Sequence, residues 1–454
     1  MTRRFNRFVS SAPFKKLVLS GLLLSCSTAV LSMDLLQAYE AAKLQDATIL
    51  AARATAQAGR ENLPQALAQL LPNISASVGY NKNNLISTTP NFFGIEQTTK
   101  TDYPSQNQTL TLRQPLYRPF LKSQYQQAGA RVDDVNAALN QEEQNLVVRV
   151  VGAYFEAMLT YEQLNLVLTE RQSYTTQLDV ARKSFAAGSG TRTDVDAAQA
   201  QLDLNAAEEI HARQNMAFTL RQLEVLVNQP IDQISKLNVS KLQLLGPQPN
   251  ILQDWIARSE QNSHEIKTLK AQLEVARLEV EKNKSGHYPT LDAIAQLSRS
   301  QSENITNTQN RYNNTSVGLQ LNVPLFAGGA VTSSIRQALA ARDRAEQLLE
   351  AGRRDLSLRV HKEFRSLTES IPKIYALEQA LISADQLVLS SSKSFQAGSR
   401  TVVDVLNAEQ KRSVVLRDLA QARYIYLIST IRLLALVGAA DTEAVRSINQ
   451  VLQP

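Results

Sequence analysis

The sequence predicts a mainly α fold with a β portion, built as two tandem copies of helix, β-hairpin, very long helix, turn and helix. Three observations predict it. Two nearly identical stretches lie 210 residues apart: Lys183-Ser-Phe-Ala-Ala-Gly188-Ser-Gly-Thr191 running on to Asp194, and Lys393-Ser-Phe-Gln-Ala-Gly398-Ser-Arg400-Thr401 running on to Asp404. Each is preceded by a seam at alternating spacings of three and four, with Leu164, Val167, Tyr174, Leu178 and Ala181 in one copy and Ile374, Leu377, Leu381, Ala384 and Val388 in the other. Finally, no proline falls between Pro119 and Pro230, which leaves room for helices far longer than an ordinary globular domain uses.

The first 32 residues stand apart. They hold Arg3, Arg4, Arg7, Lys15 and Lys16 and no acid, then the apolar run Leu17-Val-Leu-Ser-Gly-Leu-Leu-Leu24 and small residues. This is the pattern of a secretory signal peptide, with cleavage after Ala29 or Ser32. A lipid anchor on Cys26, the sole cysteine, is the rival reading, and bulky Leu24 weighs against it. Without the leader the formal charge falls from +6 to +1, so the basic balance gives no support to nucleic-acid binding. No other run approaches the ~20 apolar residues of a spanning helix. An exported chain of this kind is periplasmic, secreted or part of a β-barrel.

In chain order, repeat 1 covers 33–228. A helical pattern from Asp34 to about Leu70 ends at Pro72, and strands follow at about 73–81 and 107–117. The Asn- and Thr-rich stretch 81–106 between them reads as an exposed loop. Long helices are expected at 120–187 and 193–228, and 229–250, with Pro230, Pro247 and Pro249, reads as a connector. Repeat 2 covers 251–437. One helix is expected to Ser285, strands at about 290–298 and 314–326 around a polar loop at 299–313, and long helices at 328–396 and 401–437. Pro372 has no counterpart in repeat 1 and should kink its helix locally. Residues 438–454 read as a short tail.

The last long helix carries two adjacent stripes, Val405, Ala408, Val415, Leu419 and Ala422 beside Leu406, Leu416, Ala420 and Leu427. Helices touching neighbours on both sides suit the wall of a tube, and equally a solid bundle with wide apolar stripes. The strands bear on this choice. Val317, Leu319, Leu321 and Val323 share one face, with Ser316, Gly318, Gln320 and Asn322 on the other. A membrane barrel needs at least ~8 strands to close, so four strands from each of three chains would suffice where one chain fails. Tyr80, Tyr117, Phe120, Tyr288 and Phe326 lie at strand ends, where an interfacial girdle belongs.

The whole mature chain resembles the TolC family of outer-membrane efflux and secretion ducts. The resemblance rests on Met33-Asp-Leu-Leu-Gln-Ala-Tyr39, Leu71-Pro72, Gln114-Pro-Leu-Tyr117, Val323-Pro-Leu-Phe-Ala-Gly-Gly329 and, most specifically, Phe395-Gln-Ala-Gly-Ser-Arg-Thr-Val-Val-Asp-Val-Leu-Asn-Ala408. It implies a homotrimer in outer-membrane lipid, its 12-stranded barrel continuing into a periplasmic helical tunnel. Its implied partners are a periplasmic adaptor (membrane fusion) protein and an inner-membrane efflux pump or ABC exporter. The duct itself would be passive, serving multidrug efflux or type I secretion.

The same resemblance places a gate at the periplasmic turns. It assigns Thr193 and Asp194 of repeat 1, and Phe395, Arg400 and Asp404 of repeat 2, to contacts that close the tunnel. Arg400 is expected to pair with Asp194 or nearby backbone carbonyls. Phe395 stands where the family's best-studied members carry a tyrosine, so a hydroxyl contact to the acid is lost. Asp404 would form one ring of three carboxylates, since Asn407 replaces the family's frequent second acid. Gly188, Ser189, Gly398 and Ser399 mark the turns where the adaptor docks. Local pattern gives a second role: Thr191 to Asp194 and Thr401 to Asp404 both fit helix capping boxes.

Nothing points to an enzyme, a cofactor or a metal. His211, His264, His287 and His361 share no ligand spacing, and no Gly-rich phosphate loop is present. The alternative function is a soluble periplasmic coiled-coil adaptor or scaffold, which requires the strands to form non-membrane hairpins.

Overall fold

The computed structural model describes residues 32–303 and 309–452. The expected leader through Leu31, with Cys26, lies outside the described residues. Helices α1 (Leu35–Gln45), α2 (Ala47–Arg60) and α3 (Asn62–Ala68) lead to strands β1 (Asn73–Pro90) and β2 (Glu96–Tyr117). Helices α4 (Pro119–Ala186) and α5 (Arg192–Val227) complete the first repeat. The second supplies α6 (Leu252–Asn262), α7 (His264–Lys284), β3 (Thr290–Glu303), β4 (Gln309–Asn322), α8 (Ala330–Gln396) and α9 (Val402–Leu436), and α10 (Thr442–Asn449) follows.

Several elements differ from the sequence expectation. The helix expected from Asp34 to Leu70 is broken at Asp46, whose extended backbone stops α1 while its carboxylate accepts from the Ile49 N–H at 2.8 Å. Likewise, Ser263 turns the chain between α6 and α7, where one helix was expected. Most of the expected loop 81–106 is strand: β1 and β2 stay in register from Asn73↔Arg113 to Pro90↔Glu96. Both faces of this extension are polar, so no period-2 contrast betrays it. Side-chain bonds such as Asn83 Nδ2 to Ser105 Oγ (2.8 Å) and Thr88 to Thr98 (2.9 Å) run along it. The loop expected at 299–313 is shortened in the same way, and β4 ends at Asn322, short of Phe326. The expected tail contains α10, which buries Ala444, Val445 and Ile448. Helix α8 continues through Pro372.

The four strands form one antiparallel sheet, ordered β1-β2-β3-β4. Its register sorts side chains by chemistry. Ile74, Ala76 and Val78 line up with Leu110 and Leu112, then Ala293, Ala295 and Leu297, then Val317, Leu319 and Leu321. This face is bare: Val78 is 80% and Val317 82% exposed. Ser75, Ser77, Thr109, Thr111, Gln296, Ser316 and Gln320 occupy the opposite face. No described helix is long and apolar enough to cross a membrane.

Asp292 of β3 ties the sheet to the helices. It is buried, yet it accepts from Arg113 of β2 (2.6 Å) and from Arg118 (2.5 Å), the residue that opens α4. The β2–β3 pairing is also where the two repeats meet.

Helices α4 and α8 run unbroken for 68 and 67 residues. Shorter helices share the slots beside them. Helix α9 packs on α4 and α8 towards the turns, and α7 packs on the same two helices towards the sheet. Helices α5 and α2 flank α4 in the same sequence. The break between stacked helices is built alike in both repeats. Arg149 pairs with Asp46 and Glu142, and its equivalent Arg359 pairs with Glu265 and Asp355. The main core lies at this level, around Tyr154, Phe155 and Tyr424, with the Phe155 and Tyr424 rings 5.7 Å apart.

Asp292→Ala leaves two arginines facing each other without their buried acceptor. We expect it to lower by several degrees the temperature at which the assembled protein dissociates in SDS, whereas Asp292→Asn, which keeps one acceptor, should recover part of the loss.

Candidate functional site

Both long hairpins end in the same turn. The carbonyl of Ser184 accepts from the Ser189 N–H and Oγ at 3.0 and 3.1 Å, and that of Ser394 accepts from the Ser399 N–H and Oγ at 2.9 and 3.0 Å. Gly188 and Gly398 sit between, at φ 73° and 74°. A left-handed residue closes a helix in this way, and any side chain there is strained.

The return helices start on matched capping boxes. Thr191 N and Oγ1 donate to Asp194 Oδ2 at 3.0 and 2.6 Å, and the Asp194 N–H returns a bond to Thr191 Oγ1 at 3.1 Å. Thr401 and Asp404 repeat the pattern at 3.0, 2.9 and 3.3 Å. The Thr401 backbone N–H, then its hydroxyl, hold the Asp404 carboxyl below the usual carboxylate range, and the nearby charge of Arg400 adds to this.

The two copies part at specific positions. Arg400 replaces Gly190, and Ser391 replaces Ala181. Within the chain Arg400 Nη1 donates to Ser391 Oγ at 3.1 Å, and among the described residues it forms no ion pair with Asp194. Phe395 is half-buried against Tyr174, Leu178, Ala181, Ala198, Val402 and Leu406, a cluster that joins the two hairpins. Its equivalent Phe185 is 45% exposed. Thr193 is exposed on the first turn of α5 and Asn407 on the second turn of α9.

Two participants were not singled out from sequence. Ser391 is completely buried beneath Arg400. Comparing the copies would have revealed it, because serine breaks the seam where alanine keeps it. Ser173 of α4 donates to Glu409 of α9, tying the hairpins together above the tip cluster. No local pattern marks that pair, since it exists only once the hairpins lie side by side.

Because its folded pKa is depressed, Asp404 contributes stability above its unfolded pKa and loses it as pH falls through the folded value. Protection of the Asp404 and Val405 amides, measured by hydrogen exchange, should persist through the ordinary Asp value of 3.8 and fall only in more acid solution. Thr401→Val should shift the Val405 loss to higher pH, and should leave the Asp404 amide, whose acceptor is the Thr401 hydroxyl, unprotected throughout.

The profile of a family described as outer membrane efflux protein matches residues 38–229 and 255–439, one segment in each repeat. The chain is 30% identical over 432 residues to "Proteases secretion protein PrtF" of Dickeya chrysanthemi, covering 94% of this chain and 93% of that protein. It is 33% identical over 417 residues to "Alkaline protease secretion protein AprF" of Pseudomonas aeruginosa, covering 90% and 85%. To "Outer membrane protein TolC" of Vibrio cholerae it is 29% identical, covering 96% and 98%. Among solved structures, CusC superposes with a TM-score of 0.77 at 15% identity over 90% of this chain and 92% of that one. VceC of Vibrio cholerae gives 0.74 at 17% identity over 90% and 97%. None of these matches favours a soluble adaptor. Sheet, stacked helices and matched segments agree: the chain belongs to the outer membrane efflux protein family, and its fold is that of one protomer of a trimeric outer-membrane channel-tunnel.

Proposed function

We propose that this chain is the outer-membrane exit duct of a protein-secretion apparatus, shut at its periplasmic end by the hairpin tips. The observation that carries the cargo assignment is the match, over at least nine-tenths of the chain, to two proteins named for secreting proteases. Small-molecule efflux is the second reading, favoured by the description of the family itself.

Assembly follows from the edges. The tipward wall runs α5, α4, α9, α8, so α5 and α8 are its free sides. Helix α5 exposes Leu204, Phe218 and Val225 at multiples of seven residues, and α8 exposes Tyr375, Ile382 and Leu389 at the same spacing. These are seams without a partner in one chain. Setting α8 of one copy against α5 of the next covers both and brings β4 beside the next β1.

At the closed end, Thr193 and Asp194 lie on one hairpin and Phe395, Arg400, Asp404 and Asn407 on the other. Arg400, oriented by Ser391, is placed to hold acceptors on a neighbouring hairpin with its planar fork. Asp404 would supply a ring of three carboxylates that favours cations. The turns at Gly188, Ser189, Gly398 and Ser399 would receive the periplasmic adaptor, and an inner-membrane exporter would supply the energy.

Arg400→Ser should raise single-channel conductance in planar bilayers by loosening the closed end; an unchanged conductance removes Arg400 from the gate. A deletion strain should lose one or more proteins from its culture medium while keeping its drug tolerance. Drug sensitivity with an unaltered set of secreted proteins would favour efflux instead.

A further inference from the structure

The apolar face of the sheet ends in positive charge. Along β1 the outward positions after Val78 are Tyr80 and Lys82, and along β3 the position after Leu297 is Arg299. On β4 the outward positions beyond Val317 are Thr315, Asn313 and Arg311. Arg299 pairs with Asn313, and Arg311 pairs with Gln301, so the two arginines are diagonal neighbours on one face. Diagonal neighbours on adjacent strands stand ~7–8 Å apart, within joint reach of one small anion. Lys82, Arg299 and Arg311 are all exposed.

The opposite face over the same rows carries Asn81, Asn83, Ser105, Asn107, Ser298, Ser300, Tyr312 and Asn314, none of them charged. On that face the described strands carry charge only at Arg113 and Asp292, at the far end of the sheet. The cations therefore stand on the lipid side, just beyond the apolar band, and not on the water-filled side. Tyr80 reaches the same row as Arg311 through Gln106 and Gln301. An outward tyrosine at the end of an apolar band marks the headgroup level. Two outward acids border the site: Glu303 holds the position after Gln301 on β3, diagonal to Arg311, and Asp102 on β2 lies higher and accepts from Asn84 Nδ2 at 2.5 Å.

We propose that Arg299 and Arg311 bind the phosphate of an outer-leaflet lipid. The planar guanidinium fork matches phosphate oxygens in pairs, and two forks on one face suit a single phosphate group. Neighbouring hydrocarbon strengthens the attraction, because the field there is screened less than in open water. The site rests on the outer-membrane setting of the sheet and is independent of the cargo. It anchors the barrel at a fixed depth through the headgroup layer.

The test uses full-length trimer in mild detergent and native mass spectrometry, with bisphosphorylated lipid A, enzymatically dephosphorylated lipid A and inorganic phosphate as probes. The phosphorylated lipid should bind in up to three copies and the dephosphorylated form far more weakly. Arg299→Gln with Arg311→Gln should weaken binding roughly thirtyfold, from the usual gain per basic residue at an anionic surface. Lys270→Gln on α7 should change nothing. Arg299→Lys with Arg311→Lys keeps the charge and loses the fork, and should retain an intermediate affinity; it also serves if the double Gln variant fails to assemble. Equal binding of both lipid A forms, or unaltered binding by the variants, overturns the proposal. Displacement of the lipid by inorganic phosphate at matching concentrations also overturns it, in favour of a free-phosphate site. A wild-type chain that fails to partition into membranes would instead sink the outer-membrane setting itself.

Discussion

A four-stranded sheet has two open edges, and hydrocarbon does not tolerate an open edge. Every N–H and C=O left unpaired there costs several kcal/mol, roughly what one whole domain can spare. The edges of β1 and β4 must therefore be closed by other copies of the chain. Much of the structure follows from that closure. The sheet can be apolar on one side and polar on the other only because a closed barrel has an outside and an inside. The wall beneath must present matching free sides, and α5 and α8 do so. Asp292 with its two arginines sits where the sheet hands over to the helices, and holds that corner.

Below the sheet the helices pack around a large core and a small tip core, with a lesser cluster of Leu164, Val167 and Ala212 between them. The large core surrounds Tyr154, Phe155 and Tyr424, and the small one gathers Tyr174, Leu178, Val402 and Leu406 at the tips. Between them a cleft of about 540 Å³ separates α9 from the first hairpin, lined by Glu170, Asn205, Glu208, Gln410 and Arg417. Asn205 is buried there, and its Oδ1 has no partner among the described residues. An interface with a cleft in its middle yields more readily than one packed throughout.

Local chemistry was legible in the sequence, and tertiary consequence was not. The turns at Gly188 and Gly398 and the caps at Thr191 and Thr401 declare themselves within a dozen residues, because left-handed glycine and capping threonine act on their own backbone. The long helices were legible from an absence of proline. The outer parts of β1 and β2 were not, because strands wet on both faces show no alternation. Asp46 and Ser263 break helices because another helix must end in the same slot, a reason that lies far away in the chain. At the tips, Asp404 was legible as a cap, whereas the meeting of Ser173 with Glu409 depends on how two hairpins lie together.

The stacked helices set a rule for length. Helices α4 and α8 differ by one residue, 68 against 67, and α5 and α9 by one, 36 against 35. Both hairpins must end on one plane for their tips to meet, and any change in an outgoing helix must be matched by an equal change in its returning partner. A seven-residue insertion in α4 alone would push one tip ~10 Å past the other, at 1.5 Å per residue. Growth or shortening of such a tunnel is therefore a four-fold event, with equal changes in α4, α5, α8 and α9. The depth of the helical wall is written into this chain four times, and no copy can be edited alone.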